Sequence, residues 1–342
     1  MAVKREKVVA MLSGGLDSTL AAKMMVDQGL EVVAFNMVSP FCTCTPKKSG
    51  CHNLAVEMGR QIGIEVVLKA KGEDYVEVIR NPKFGYGSGL NPCIDCRIYT
   101  FVKAKEFMEE VGAVAIVTGE VLGQRPMSQR RDAIMKIERE SGLKGKILRP
   151  LSAACFPETD IEKEGIVDRE KLLDIIGRGR TKQLEMAADI GLDGILCGTG
   201  GCLLTDKNMK EKILDLFAHN REVTLKDISR LKIGRHFRLD NGIKFVLGRD
   251  LGENNVLSSH RGAGDIVIEP TSFLGATALI EANADNRLSV GYVSNVIRAF
   301  AKAGGGDSFS VEITDDGGSI EEEIRAEDVN YLDYWIGQPK AG

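Results

Sequence analysis

A membrane-spanning or secretory segment is the first thing this chain lacks. Its N-terminus is charged at Lys4, Arg5 and Lys7, and the apolar run behind it, Val8–Leu12, is too short for a signal peptide or a bilayer span. A basic surplus is missing too. The net charge is −4, which withdraws one argument for nucleic-acid binding without excluding it, since local basic patches rather than net charge contact phosphates. There is no long linker, internal repeat or low-complexity segment. Two common nucleotide signatures are absent: no Gly-Lys-Ser/Thr of the Walker type, and no Gly-x-Gly-x-x-Gly. What remains is a globular composition, 43% apolar and 27% charged, in 342 residues. That length suggests about two domains, and the expected location is the cytoplasm. Disulfides are rare in that compartment, so the eight cysteines call for metal, cluster or sulfur chemistry wherever they are grouped.

The most informative stretch is Ser13-Gly14-Gly15-Leu16-Asp17-Ser18, directly after the apolar run. A buried strand, a small-residue turn and a helix make a phosphate pocket. Gly14 and Gly15 allow a sharp bend and close approach. Successive N–H groups then converge, with the positive end of a helix behind them. Asp17 would cap that helix or help hold Mg²⁺ on a triphosphate. The plain alternative is an ordinary strand–turn–helix connection.

The first half alternates β runs (Val8–Leu12, Glu31–Val38, Glu65–Leu68, Ala113–Thr118, Lys146–Leu148) with helical patterns (Ser18–Asp27, Asn53–Ile62, Ile98–Val111). Alternation of this kind predicts a parallel sheet covered by helices, with ligands beyond the carboxyl ends of its strands. Further helices are expected at Arg169–Ile176, Thr181–Ile190 and Asp206–Ala218, the last closing the first domain. From about residue 222 the texture changes to short β runs (Ile243–Leu247, Asp265–Ile268, Phe309–Ile313) around one amphipathic helix, Val290–Ala303, ended by Gly304-Gly305-Gly306. Its Val293, Val296, Ile297 and Phe300 form a core-facing stripe. The expected domains are therefore 1–221 and 222–342.

The cysteines fall into groups. Asn91-Pro92-Cys93-Ile94-Asp95-Cys96 opens a helix, so two thiols three residues apart face the same way, and the helix dipole favours thiolate. Gly200-Gly201-Cys202 offers a third thiol on a flexible turn. Three thiols would suit a [4Fe–4S] cluster with one open iron; zinc would want a fourth ligand. Cys42, Cys44 and Cys51, with His52 beside the last, form a second group able to bind Zn²⁺. Cys155 and Cys197 read as structural, with Cys155 the reserve candidate for the third ligand.

Taken together, Ser-Gly-Gly-Leu-Asp-Ser, Asn-Pro-Cys-x-x-Cys, Thr118-Gly119-Glu120 and Gly-Gly-Cys-Leu-Leu-Thr-Asp resemble the PP-loop ATP pyrophosphatases. Among these they are similar to tRNA thiouridine synthetases of the 2-thiouridylase and 4-thiouridine synthetase groups. The resemblance covers about residues 5–220. It implies an α/β fold, an adenine nucleotide alpha hydrolase-like (PP-loop) domain with a smaller C-terminal α+β domain. It also implies that Ser13, Gly14, Gly15, Asp17 and Ser18 hold ATP phosphates, that Asn36 and Met37 meet adenine through backbone groups, and that Thr118, Gly119 and Glu120 line the ribose and α-phosphate. Gln124, Arg125, Ser128 and Gln129, with Arg130 and Arg131, would face tRNA, as would Arg178, Arg180 and Lys182. The catalytic residues would be Asp17, Cys93, Cys96 and Cys202, and the cofactors ATP, Mg²⁺ and the cluster. The reaction would be ATP-dependent thiolation of a tRNA uridine through an adenylated carbonyl oxygen. A sulfur donor, protein or sulfide, would be the second partner.

Two departures from that family stand out. The Cys-x-x-Cys pair occupies a position where 2-thiouridylases carry one cysteine, and the expectation is that the N-terminal RNA-binding domain typical of 4-thiouridine synthetases is lacking. Phe245–Asn255 resembles the RNA-binding module of the NFACT family, with Arg249, Asn254, His260 and Arg261 as RNA contacts. The alternative is a small packing or dimerisation domain, which would make a homodimer. Two rival functions are a PP-loop synthetase adenylating a small molecule and a non-enzymatic factor that binds ATP and RNA.

Overall fold

In the computed structural model, residues 5–42, 51–192, 201–283, 285–302 and 306–337 are described. The chain divides into two compact units, Met1–Thr205 and Asp206–Gly342.

The first unit begins with β1 (Lys7–Met11), α1 (Leu16–Asp27), β2 (Glu31–Val38), α2 (Cys51–Ile62), β3 (Glu65–Ala70) and α3 (Asp74–Arg80). It continues through α4 (Cys93–Glu110), β4 (Ala115–Thr118), α5 (Arg131–Glu140), β5 (Ile147–Leu148), α6 (Asp160–Lys163) and α7 (Thr181–Asp189). The five strands lie in the order β3-β2-β1-β4-β5, all parallel. Both faces are covered, which is why the strands read as continuous apolar runs. Val8, Ala10, Val32 and Val117 point into one core with Met25 of α1. Their neighbours Val9, Phe35 and Ile116 point into the other with Phe101 and Phe107 of α4. Strand order reverses between β1 and β4, and open α/β sheets bind ligands at that crevice. The loops after β1 and β4 carry Ser13–Ser18 and Thr118–Glu120.

Two expectations are corrected. Arg169–Ile176 is not a helix: only Arg169–Lys171 makes a short 3-10 turn. Beyond it Leu173 N–H donates to Pro150 O at 2.8 Å and Ile175 N–H to Leu151 O at 2.9 Å, so the segment is extended along a loop. The helix expected to close the first domain, observed as α8 (Lys207–His219), packs in the second unit against α9 (Leu225–Leu231).

The second unit adds β6 (Arg235–Arg238), β7 (Lys244–Leu247), α10 (Leu251–Ser259), β8 (Ile266–Pro270), β9 (Ala278–Ile280), α11 (Val290–Ala301), β10 (Ser308–Asp315), β11 (Gly318–Arg325) and β12 (Trp335–Ile336). These strands form one seven-stranded sheet, β11-β10-β8-β9-β7-β6-β12, antiparallel throughout. The stripe Val293, Val296 and Ile297 of α11 fills its core with Phe237, Phe245 and Val311, and Phe300 packs at the edge. Lys302, at φ 51, takes the left-handed turn that ends the helix. Gly304 and Gly305 lie outside the described residues.

Candidate active site

A cavity of about 270 Å³ opens where β1 and β4 end, lined by Ser13, Gly15, Asp17 and Ser18 from one loop and Thr118, Gly119 and Glu120 from the other. Two glycines make this junction. Gly14 has φ +78, and a Cβ there would lie 2.6 Å from Ala55 N. A Cβ on Gly119 would lie 2.4 Å from the backbone of Asp17 and Ser18, so β4 reaches α1 only because that atom is missing. The hydroxyls tighten the turn. Ser18 Oγ accepts from Ser13 N at 3.2 Å and donates to Gly15 O at 2.9 Å, and Thr19 Oγ1 donates to the same carbonyl at 3.1 Å.

Asp17 does not cap α1. Gly15 stands at the helix N-cap with no side-chain cap. The Asp17 carboxylate accepts from Gln124 Nε2 at 3.0 Å and Gln183 Nε2 at 3.4 Å, with Arg180 3.5 Å away. Each oxygen accepts one amide donor, which leaves lone pairs of the carboxylate facing the cavity that Asp17 lines. Glu120 is buried and doubly paired: Arg97 Nε donates to one oxygen at 3.0 Å and Arg149 Nε to the other at 3.1 Å. Burial pushes the carboxyl up, but Arg97 and Arg149 outweigh it and hold it below the usual range. Gln124, Arg125, Ser128, Gln129 and Arg180 also line the cavity, where the sequence suggested a tRNA-facing surface. Arg130, Arg131, Arg178 and Lys182 are exposed. Asn36 and Met37 are not in the lining. Asn36 is buried and donates to Leu12 O at 2.6 Å, tying β2 to the end of β1. Met37 lines a second cavity with Lys69, Tyr99 and Lys103.

Cys93 and Cys96 lie within electrostatic reach of Arg125 and Arg97, which line this cavity. The loop before α4 holds the Cys202 segment by its backbone: Leu90 N–H donates to Leu204 O at 2.8 Å, and a Cβ on Gly89 would sit 2.3 Å from that oxygen. Leu203 N–H donates to Phe41 O at 2.9 Å, setting Cys202 opposite Cys42 in an isolated antiparallel bridge. Asp95 pins the loop from the other side, accepting from Lys83 N at 3.0 Å and Phe84 N at 3.1 Å. Cys202 lies within electrostatic reach of Cys96 and Cys93, and all three act on the buried Tyr75 hydroxyl.

Lys71 was not visible as a site residue in the sequence. It is buried at the end of β3, with Nζ 3.0 Å from Cys96 Sγ and 3.9 Å above the Tyr75 ring. Burial pushes the Cys96 thiol up, but Lys71, Tyr75 and Arg97 outweigh it and hold it below the usual range. Cys93 is pushed up, by burial first and Cys96 second, and burial pushes Cys202 up as well. The helix-dipole expectation that both thiols of the pair shift toward thiolate therefore holds in direction for Cys96 alone, with Lys71 as the largest lowering cause.

Among the described residues, no set of three or more His, Cys, Asp or Glu side chains is disposed to hold a metal ion. The expected Zn²⁺ group gains no support: Cys42 lies beside Cys202, while Cys44 and the side chains of Cys51 and His52 are outside the described residues. Cys155 Sγ contacts Asp174 O at 3.6 Å; Cys197 lies outside the described residues.

Residues 3–172 match the family described as Thiamine biosynthesis protein (ThiI). This segment is a ThiI-family PP-loop domain. Residues 234–334 match the NFACT protein RNA binding domain. The chain is 29% identical over 126 residues to the tRNA-specific 2-thiouridylase MnmA of Leptospira interrogans, covering 33% of each chain. It is 30% identical over 166 residues to the probable tRNA sulfurtransferase of Thermococcus kodakarensis, covering 48% of this chain and 40% of that one. Among solved structures, a 4-thiouridine synthetase–RNA complex with bound ATP aligns at a TM-score of 0.38 and 23% identity, over 54% of this chain and 41% of that one. The chain thus spans about a third of the length of the curated relative first matched.

In the NFACT-type half, the four suggested RNA contacts all have protein partners. Arg249 pairs with Glu253, and Arg261 Nη1 donates to Asp316 at 2.6 Å. His260 Nδ1 lies 2.8 Å from Val256 O. Asn254 accepts from Thr277 N at 3.1 Å and donates to Gly275 O at 3.4 Å, joining α10 to the loop before β9. Among the described residues, no helix is long and apolar enough to cross a membrane.

Proposed function

We propose that this chain thiolates a uridine of tRNA, using ATP to activate the base carbonyl. The observation that carries the reading is adjacency. Arg97 and Arg125 line the PP-loop cavity, and the same two side chains act on Cys96 and Cys93 respectively. Activation and sulfur delivery then share one chamber. ATP phosphates occupy the Ser13–Ser18 turn at the positive end of α1. The uridine oxygen attacks the α-phosphorus, and pyrophosphate leaves. Sulfur then displaces AMP from the ring carbon. The NFACT-type half contributes RNA affinity.

Three thiols with no carboxylate or imidazole among them are a donor set suited to a [4Fe–4S] cluster, which spans more space than a single ion. Cys93, Cys96 and Cys202 would hold it, leaving one iron open to carry sulfide. A second reading, a cysteine persulfide, is favoured by the Lys71–Cys96 contact, since a thiolate held by a cation is poised to attack or carry sulfur.

The test is pyrophosphate release with and without bulk tRNA, followed by nucleoside mass spectrometry. Thiouridine formation coupled to pyrophosphate release is expected. Release without thiolated nucleoside would favour a small-molecule synthetase, and ATP binding without release would favour a non-enzymatic factor. Iron in anaerobically purified protein, lost in Cys93→Ala, separates cluster from persulfide.

A further inference from the structure

The cavity holds three guanidiniums, and one of them lacks a counter-ion. Arg97 is held by Glu120 and Arg180 lies 3.5 Å from Asp17. The second oxygen of Glu120 is taken by Arg149. Arg125 makes no ion pair or side-chain hydrogen bond among the described residues. Partial desolvation and the like charges of Arg97 and Arg180 push it below the usual arginine range. A second, independent observation lies in the same cavity. Gln129 is 6% exposed, and its Oε1 is buried with no hydrogen-bond partner. Arg125 is exposed to solvent at the cavity mouth and so is open to an anion, whereas the orphaned amide is costly in a protein without its ligand. A nucleotide serves both, with a phosphate for the cation and a hydroxyl or amino donor for the amide.

We propose that Arg125 is the catalytic clamp on the α-phosphate of ATP, and on the same phosphate once it belongs to the AMP leaving group. This rests on the thiolation reading above. Sulfur must reach a carbon joined through one oxygen to the α-phosphorus, so the α-phosphate is the one nearest the thiols. Arg125 is the uncompensated guanidinium that lies within electrostatic reach of Cys93. The Ser13–Ser18 turn takes the remaining two phosphates. Gln129 accepts from the sugar or base of the same nucleotide.

Titration calorimetry of the full chain with AMP and with pyrophosphate, as separate probes, tests this. Arg125→Gln is expected to weaken AMP binding roughly tenfold or more, the worth of a charge-assisted contact, and pyrophosphate binding less than about twofold. Arg125→Lys keeps the charge but loses the fork, so it is expected to recover part of the AMP affinity. Equal losses for both anions, or no loss for AMP, would overturn the assignment. Wild-type protein that binds neither anion would instead overturn the nucleotide reading of the cavity. If Arg125→Gln melts lower than wild type, Arg125→Lys carries the comparison alone: AMP affinity below wild type with pyrophosphate unchanged supports the clamp, and any other pattern overturns it.

Discussion

Gly119→Ala places one methyl group where the structure leaves no room. Its carbon would lie 2.4 Å from Asp17 C, Asp17 O and Ser18 N. Ordinary carbon contacts start near 3.5 Å, so β4 and the PP-loop must separate by about 1 Å. Both partners are backbone, and no rotamer change relieves the clash. Overpacking of this kind costs about 1–3 kcal/mol, and for a domain near 200 residues each kcal/mol lowers Tm by about 2–4 °C. The expected loss is therefore roughly 2–12 °C, read by differential scanning calorimetry. The displacement also moves the two halves of the cavity apart, and a 1 Å misplacement costs on the order of a hundredfold in rate. Gly15→Ala is the comparison. Its added carbon meets only Ser13 Oγ, at 3.4 Å, so its Tm should stay within about 1 °C of wild type, inside the range of unstrained substitutions. Equal melting temperatures for Gly119→Ala and wild type would refute the claim that β4 and α1 meet backbone to backbone.

Two further outcomes are expected. Lys71→Met removes the cation beside Cys96, so the thiol pKa rises and alkylation of Cys96 at neutral pH slows several-fold, with the rate recovering at higher pH; a pH profile identical to wild type, followed by peptide mass spectrometry, would refute the pairing. In the second unit, Lys212 is pulled from 10.5 to about 8, chiefly by burial. Between those values the unfolded chain keeps a proton that the folded one has lost, so stability rises with pH across that window. The full change is on the order of 3 kcal/mol, and urea unfolding of wild type and Lys212→Met at pH 7 and 9.5 should show the gap shifting in favour of wild type. A gap that stays constant would sink the assignment.

Sequence pattern carried the first unit's sheet because buried parallel strands announce themselves as unbroken apolar runs. Glu31–Val38 matches its strand end to end. Pattern failed where spacing was ambiguous. Leu172 and Ile175, three apart, mimic a helical face, yet both are buried by an extended segment bonded to Pro150 and Leu151. Arg130 and Arg131 drew attention as a basic surface and hid α5, whose Ala133, Ile134 and Ile137 are buried at helical spacing. The cavity-lining turn Ser13–Ser18 was legible because its glycines and hydroxyls are consecutive in the chain. Lys71 was not, since a lone lysine after a strand has no signature, and its meaning comes from Cys96, 25 positions away. The guanidinium arithmetic of the cavity was hidden for the same reason: Arg97, Arg149 and Glu120 meet only when α4, β4 and β5 are assembled.

The backbone clasp between Leu90 and Leu204 has a practical consequence for anyone dissecting the protein. The family match stops at residue 172, but a fragment trimmed there would discard Arg180 and Gln183, which contact Asp17, and the Cys202 segment bonded to the loop before α4. A piece that keeps the cavity lining and that backbone clasp ends at Thr205, where the first compact unit also ends.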